Sequence, residues 1–379
     1  MKPFYQDFRL GILGGGQLGR MLIPACSSFD VFTSVIDPSE IAPCRELASA
    51  FQVGDITDFD TVYRFGKSVD LLTIEIENVN VQALYKLEQE GLPVFPQPRV
   101  IDIIQDKRAQ KQFYREHGIP TPDFVLVDDR ADATKHAAFL PAFSKIGKGG
   151  YDGGGVQRIN TAADFGKVFD APGLLEKFID FEREISVIAA RNARGEIAVF
   201  PPVECVFDPQ YNLVDYLVAP SSASVAVLAE AERIARAVVE AFGIVGVLAV
   251  EMFVTRSGEV LVNEVAPRPH NSGHQTIAAN YTSQYEQHLR AILGLPLGST
   301  AIKSPSAMVN LLGAEGFSGP AKYEGLDDLL RIDGVSLMLY GKKLTRAKRK
   351  MGHVTIVDAD MRRLLEKVEL VKKAVRVVA

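Results

Sequence analysis

The chain of 379 residues has no tryptophan, three cysteines and six histidines, and no apolar run approaches the length that spans a bilayer. The cysteines, Cys26, Cys44 and Cys205, are odd in number and scattered. They exclude a disulfide scaffold and a cysteine-type zinc site, and each is expected in the core as a reduced thiol. The histidines show no zinc-motif spacing. The N-terminal stretch Met-Lys-Pro-Phe-Tyr-Gln-Asp-Phe-Arg lacks a secretory apolar segment, so a cytoplasmic location is expected. An excess of positive charge is also missing. The formal net charge is -5, which argues against nucleic acid or an anionic membrane as partner. What remains is an ordinary globular composition, 47% hydrophobic and 23% charged, long enough for two or three domains.

Residues 9–80 alternate apolar strands (9–13, 31–37, 71–76) with helical patterns such as 17–28, which predicts a doubly wound parallel sheet. Three prolines between Gly91 and Arg99 close this region. A helix over 101–118 and short strands around a glycine-dense loop follow. Longer strands, a helix over 222–242 and a helix from about Asp360 complete the chain. The expected division is 1–100 (Rossmann-like), 101–186 (linker helix and small lid) and 187–379 (large domain).

Glu251 and Glu264 lie thirteen residues apart in two β-rich runs separated by Ser257-Gly258. If those two residues form the turn of a hairpin, the glutamates face each other on one side of the sheet. Like charges so placed are destabilising. A divalent cation between them removes the conflict, and oxygen ligands with room left for phosphates suit Mg²⁺. The alternative is a solvated hairpin with two surface acids.

Two glycine clusters stand out. Gly14-Gly15-Gly16-Gln17-Leu18-Gly19 follows a strand, opens a helix and is followed by Asp37 at the end of the next strand. The pattern fits a dinucleotide site, another anionic ligand at the helix N-terminus, or tight packing. The second cluster, Gly149-Gly150-Tyr151-Asp152-Gly153-Gly154-Gly155, comes just after Lys145. Such a loop can close its amides over phosphate oxygens while the lysine supplies a point charge. A flexible hairpin tip is the other reading. Glu176-Lys177-Phe178-Ile179 reads as a hinge whose backbone could hold an adenine edge, with Glu184 on the strand beyond it available for ribose hydroxyls. Asn263-Glu264 runs into Pro267-Arg268-Pro269-His270-Asn271-Ser272, polar groups suited to an anionic, hydroxylated substrate or to a capped loop. Six cations lie between Lys342 and Lys350, a phosphate clamp or a solvated hairpin.

The order of these motifs resembles the ATP-grasp superfamily, whose members activate a carboxylate or bicarbonate as an acyl phosphate. Within it the chain is similar to the N5-carboxyaminoimidazole ribonucleotide synthetases of purine biosynthesis. Gly14-Gly-Gly-Gln-Leu-Gly-Arg-Met21, Glu75-Ile-Glu-Asn-Val79, Gly149-Gly-Tyr-Asp-Gly153 and Asn263-Glu-Val-Ala-Pro-Arg-Pro-His-Asn-Ser-Gly-His274 carry the likeness, with Tyr340-Gly-Lys342 and Arg349-Lys-Met-Gly-His353. The resemblance implies an ATP-grasp architecture, mixed α/β and α+β, behind an N-terminal doubly wound domain. It implies ATP and Mg²⁺ as cofactors, 5-aminoimidazole ribonucleotide and bicarbonate as substrates, carboxyphosphate as intermediate, and a homodimer.

Residue by residue, it implies that Lys107 and Lys145 contact ATP phosphates under a loop of Gly150, Tyr151, Gly153, Gly154, Gly155 and Val156. Glu176, Lys177, Phe178 and Ile179 face adenine, Glu184 holds ribose, and Glu251 and Glu264 bind Mg²⁺ beside Asn263. Gln17, Leu18, Glu75, Asp152, Arg268, His270 and Asn271 meet the ribonucleotide, and Lys342 and Arg349 its phosphate. Asp152, Arg268 and His270 are the catalytic candidates, with Asp152 or His270 as the base. Two positions depart from the pattern: Gly154, where relatives carry a larger or basic residue, and Phe207, where many carry histidine near the nucleotide. The rival readings are another ATP-grasp ligase, such as the formate-using glycinamide ribonucleotide transformylase, an NAD(P)-dependent oxidoreductase built on the first glycine cluster, and a nucleotide-binding protein without turnover.

Overall fold

The structure, a computed structural model, describes residues 2–150, 154–207 and 214–379. The first unit is a parallel sheet of β1 (Arg9–Leu13), β2 (Phe32–Asp37), β3 (Ala50–Val53) and β4 (Leu71–Ile74), in the order β3-β2-β1-β4. Helices α1 (Gln17–Ser28), α2 (Phe59–Gly66) and α3 (Val81–Gln89) connect and cover it. Buried Leu10, Ile12, Val35 and Leu71 explain why its strands read as near-continuous apolar runs.

The single helix expected over 101–118 is two helices, α4 (Pro98–Gln105) and α5 (Lys107–Glu116). Asp106 between them is extended, and its carboxylate accepts from the Arg108 N–H as the N-cap of α5. The Lys107 N–H then donates to Gly147 O at 2.8 Å. The break therefore fixes Lys107 beside the base of the second glycine cluster.

A four-stranded antiparallel sheet follows: β5 (Phe124–Val127), β6 (Ala142–Ile146), β7 (Val156–Ile159) and β8 (Gly173–Lys177), in the order β5-β8-β6-β7, with the short helix α6 (Arg130–Thr134). The largest sheet has nine strands. It includes β9 (Phe181–Arg191), β10 (Ile197–Val199), β11 (Val203–Phe207), β12 (Val214–Ala219), β13 (Gly246–Thr255), β14 (Val260–Ala266) and β15 (Ser306–Leu312), and ends on strands Lys350–Val357 and Val335–Leu339. The domain boundary expected at 186 falls inside β9, which is one unbroken strand of this sheet. Helix α7 (Val225–Phe242), capped by Ser224 and closed by left-handed Gly243, packs with α5 against the sheet.

The first and last parts of the chain share a core. Leu18, Met21 and Leu22 of α1 pack with Tyr285, Leu289 and Ile292 of α9 (Gln284–Ile292), which follows the single turn α8 (Thr276–Ala279), and with Tyr340. His288 pins the units together. Its Nδ1 accepts from the Val247 N–H at 3.2 Å, so the ring proton sits on Nε2, 3.0 Å from Thr73 Oγ1 in β4.

Candidate active site

Glu251 and Glu264 are cross-strand partners on β13 and β14. The route to that register is not the expected one. The connection is a three-residue loop, Arg256-Ser257-Gly258, with Gly258 at φ 85° and the Thr255 N–H donating to Glu259 O at 2.9 Å. From that loop alone, Glu251 would face Asn263. The ladder shifts between Glu251 and Met252, leaving Asn263 as the extra residue of a β-bulge, and the glutamates are brought back opposite each other. The bulge turns Asn263 Oδ1 to Lys145 Nζ, 3.2 Å away.

The charges around this pair suit a hard cation. Lys107 Nζ lies 2.9 Å from Glu264 Oε2 and holds that carboxyl well below the usual range. Glu251 is pushed the other way, by burial and then by the charges of Glu264 and Glu184. Burial and Glu264 likewise raise Glu184 to about 7. Three carboxylates thus converge on one cleft, and added positive charge there would favour the ionised form of Glu251. An oxygen-rich, acid-heavy cleft fits Mg²⁺ bound together with phosphates.

Lys145, at the end of β6, sits on the same face as Glu176 of β8. Its Nζ is 2.6 Å from Glu176 Oε1, and Lys111 Nζ lies 2.5 Å from Oε2. Burial works to raise the Glu176 carboxyl, and Lys145 and Lys111 overcome it and hold it low. The Glu176 side chain, expected to face adenine, is thus taken by two lysines. Two more hinge side chains are engaged within the chain. Lys177 Nζ donates to Phe139 O at 3.0 Å, and the Phe178 ring lies under the Arg158 guanidinium. The Lys177 and Phe178 N–H groups already donate to Asp123 O and Pro141 O.

At the glycine loop, a Cβ on Gly155 would come within 2.6 Å of Gly150 Cα, so these glycines let the two limbs of the loop touch. Val156 begins β7 opposite Lys145. Gly154 is exposed on the loop's return limb, and Phe207 is half-buried at the end of β11. Tyr151, Asp152 and Gly153 lie outside the described residues.

Next to the carboxylates, a cavity of about 160 Å³ is lined by Glu251, Glu264, His270, Asn271, Ser272 and Lys350, among others. His270 is the N-cap of a short turn, and its Nδ1 accepts from the Ser272 N–H. A neutral ring therefore carries its proton on Nε2, 3.7 Å from Glu251 Oε1. Burial and then Arg268 push the imidazole down to about 3. With Nδ1 occupied and Nε2 protonated, His270 is set up to donate and orient rather than to take a proton. Arg268 is held by Glu77 at 2.9 Å. Asn271 is buried beside the same cavity.

The first glycine cluster faces this end from the N-terminal sheet. Gly15 N–H donates to Asp37 Oδ2 at 2.7 Å and Leu18 N–H to Glu75 Oε1 at 3.1 Å, while Gln17 is half-buried at the first position of α1. A Cβ on Gly16 would come within 2.4 Å of that Glu75 oxygen. The N-terminus of α1 is filled by the chain's own carboxylate, where a dinucleotide would place its pyrophosphate, and the NAD(P) reading fails on that ground. Burial raises Glu75 to about 7, against the Leu18 amide.

The basic hairpin reaches the same end. A Cβ on Gly341 would come within 2.9 Å of Arg20 Nη1. Lys342 Nζ donates to Lys350 O and Arg349 Nη1 to Leu344 O, both at 2.8 Å. Lys107, Lys145, Asn263 and Glu264 therefore gather at one end of the cleft, and Arg268, His270, Asn271 and Glu75 at the other. Sequence reasoning gave no role to Lys111, Glu77 and Arg20. Lys111 was detectable, because it lies one helical turn after Lys107 on the same face of α5. The others had no signal until the sheets were placed.

Three family profiles cover most of the chain: a ribonucleotide synthetase preATP-grasp domain over 8–105, an ATP-grasp domain over 112–285, and a phosphoribosylaminoimidazole carboxylase C-terminal domain over 306–367. The N5-carboxyaminoimidazole ribonucleotide synthase of Brucella melitensis is 40% identical, across 91% of this chain and 95% of its own length. The chain belongs to the N5-carboxyaminoimidazole ribonucleotide synthase family. A synthetase of this family from Thermotoga maritima superposes with a TM-score of 0.91 at 42% identity, covering 98% of this chain and 99% of that one. The Aspergillus clavatus synthase, solved in complex with ADP and 5-aminoimidazole ribonucleotide, gives 0.89 at 30% identity over 97% of this chain and all of that one. The chloroplastic phosphoribosylaminoimidazole carboxylase of Vigna aconitifolia is 37% identical over 93% of this chain, which spans 64% of that longer protein. Membership of this synthase family also removes the formate-using transformylase as the nearest reading. Among the described residues, no helix is long and apolar enough to cross a membrane.

Proposed function

We propose that this chain is an ATP-dependent ligase that carboxylates 5-aminoimidazole ribonucleotide to N5-carboxyaminoimidazole ribonucleotide, releasing ADP and phosphate, in purine biosynthesis. One observation carries the reading: in a chain of this family, Glu251 and Glu264 meet across a bulged hairpin, with phosphate-seeking lysines on one side and Arg268 and His270 on the other. Lys107 turns from Glu264 to the triphosphate, and Lys145 meets it from its place on Glu176. Glu251 and Glu264 would hold Mg²⁺, which when bound offsets charge on the β- and γ-phosphates. Bicarbonate is the co-substrate. Its oxygen bonds to the γ-phosphorus as the bond to ADP breaks, giving carboxyphosphate. The exocyclic amine of the ribonucleotide then attacks the carboxyl carbon, and phosphate leaves.

Catalysis of this kind is positioning and electrostatics, and needs no side-chain nucleophile. Arg268, fixed by Glu77, and the Nε2–H of His270 orient the anion. Asp152 is the better candidate for taking the amine proton, because Nδ1 of His270 is already an acceptor. The clamp for the ribonucleotide phosphate is Lys342 and Arg349, to which Arg20 is added. The chain works in the cytoplasm as a homodimer. The deciding experiment follows ADP release with ¹⁸O-labelled bicarbonate. ADP release that requires both bicarbonate and the aminoimidazole ribonucleotide, with label in the released phosphate, is the expected result. ADP release indifferent to bicarbonate sinks the reading.

A further inference from the structure

We propose that Lys111 and Thr121 are positioning residues for the nucleotide, acting through Glu176 to set where Lys145 stands relative to the metal strand. The proposal rests on the phosphate role just given to Lys145. The geometry is a continuous buried chain. Lys145 Nζ lies 2.6 Å from one oxygen of Glu176, and Lys111 Nζ lies 2.5 Å from the other. The Lys111 ammonium then donates to Thr121 Oγ1, which donates to the carbonyl of Val262 at 2.7 Å. The Val262 N–H donates to Pro120 O at 2.8 Å, so the segment 120–121 holds both backbone groups of Val262, one residue before Asn263 and two before Glu264.

The side chains of Lys111 and Glu176 are each 3% exposed and that of Lys145 10%. A buried ion cluster holds its geometry tightly, because an unpaired member costs far more than an exposed one. One carboxylate between two ammonium groups leaves a net positive charge in the interior, and the free positive end belongs to Lys145, which also reaches Asn263. Lys145 comes from the small sheet, Lys111 from α5 and Val262 from the large sheet. The chain is thus the means by which a residue of the small sheet keeps its register with the metal carboxylates.

The test uses the full enzyme and two readouts, steady-state kinetics and calorimetric binding of Mg·AMP-PNP. Lys111→Met keeps the length of the side chain, and Thr121→Val keeps its shape. Thr121→Val is expected to weaken Mg·AMP-PNP binding and raise the KM for ATP by about tenfold, the weight of one hydrogen bond to a charged group. The KM for the ribonucleotide is expected to hold, and Lys111→Met to have the larger effect. In a Lys145→Ala background, Thr121→Val should have no further effect on nucleotide affinity. A lowered Tm with unchanged nucleotide affinity, or effects of Thr121→Val and Lys145→Ala that simply add, overturns the proposal. If Lys145→Ala alone leaves nucleotide affinity unchanged, its phosphate role has failed and the positioning chain falls with it.

Discussion

At the start of α1, the amides of Gly15 and Leu18 turn onto Asp37 and Glu75, carboxylates of the chain itself. At the base of the second glycine cluster, the amides of Ile146 and Gly147 go to the carbonyls of Gly155 and Pro172, and the charged neighbours Lys107 and Lys145 are cations. One helix N-terminus holds carboxylates on its amides; at the other loop the carboxylates of Glu264 and Glu176 sit on lysine ammonium groups instead. Both clusters use glycine for close approach, since a Cβ on Gly16 would strike Glu75 and a Cβ on Gly155 would strike Gly150. Glycine density therefore reports that something comes near. What comes near is decided by charges delivered from distant strands.

The comparison breaks most sharply at the metal pair. Glu264→Gln is expected to cut ADP formation by on the order of a thousandfold in a coupled assay, because it removes one carboxylate ligand and the partner of Lys107. Near-normal turnover would take the cation away from that end of the cleft. Glu75→Gln should raise the KM for the ribonucleotide by about thirtyfold while Mg·AMP-PNP binding is unchanged, since a hydrogen-bonded charge is lost from the other end only. Saturable NADPH binding by that variant, followed by fluorescence, would show that Glu75 merely plugs a dinucleotide site. Gly155→Ala should do the reverse, raising the KM for ATP by about tenfold and sparing the ribonucleotide, because its Cβ meets backbone that must shift. Arg349→Ala should raise the KM for the ribonucleotide by about fivefold at unchanged kcat. A fall in kcat at constant KM would contradict a simple phosphate contact.

The smallest effect concerns stability. Burial pushes His288 down to about 4 and His353 down to about 3. Both are held neutral in the fold and gain protons more readily once it opens. Their contribution is intact above the ordinary histidine value near 6.5 and is lost as pH falls toward 4 or 3. By pH 5 the loss at His288 is about 2 kcal/mol, readable as a falling Tm. A flat Tm between pH 7 and 5 would mean these rings have access to water.

Much of this was legible in advance, for reasons that can be named. The parallel sheet was written in the buried apolar runs of β1, β2 and β4, which no partly solvated strand would carry. The pairing of Glu251 with Glu264 was legible too, but by compensation: the loop is one residue longer than expected and the ladder carries one extra residue. Side-chain partners across domains were not legible. Nothing local to Glu176 says that Lys111 and Lys145 will both reach it, and nothing local to Arg268 points to Glu77, 191 residues away. The partners of the hinge acid were hidden for the same reason. An acid at the mouth of an adenine pocket and an acid locking two lysines look the same in one dimension.

The bulge at Asn263 gives the hairpin a particular constraint on how it can drift. A residue gained or lost in the exposed Arg256–Ser257–Gly258 tip, once carried into the ladder, slips every pair from the tip to Glu251 by one place and swings one carboxylate to the wrong side. Only a matching gain or loss at Asn263 restores the pairing. Length changes at a solvent-facing tip and at a cleft-lining strand are therefore tolerated together or not at all.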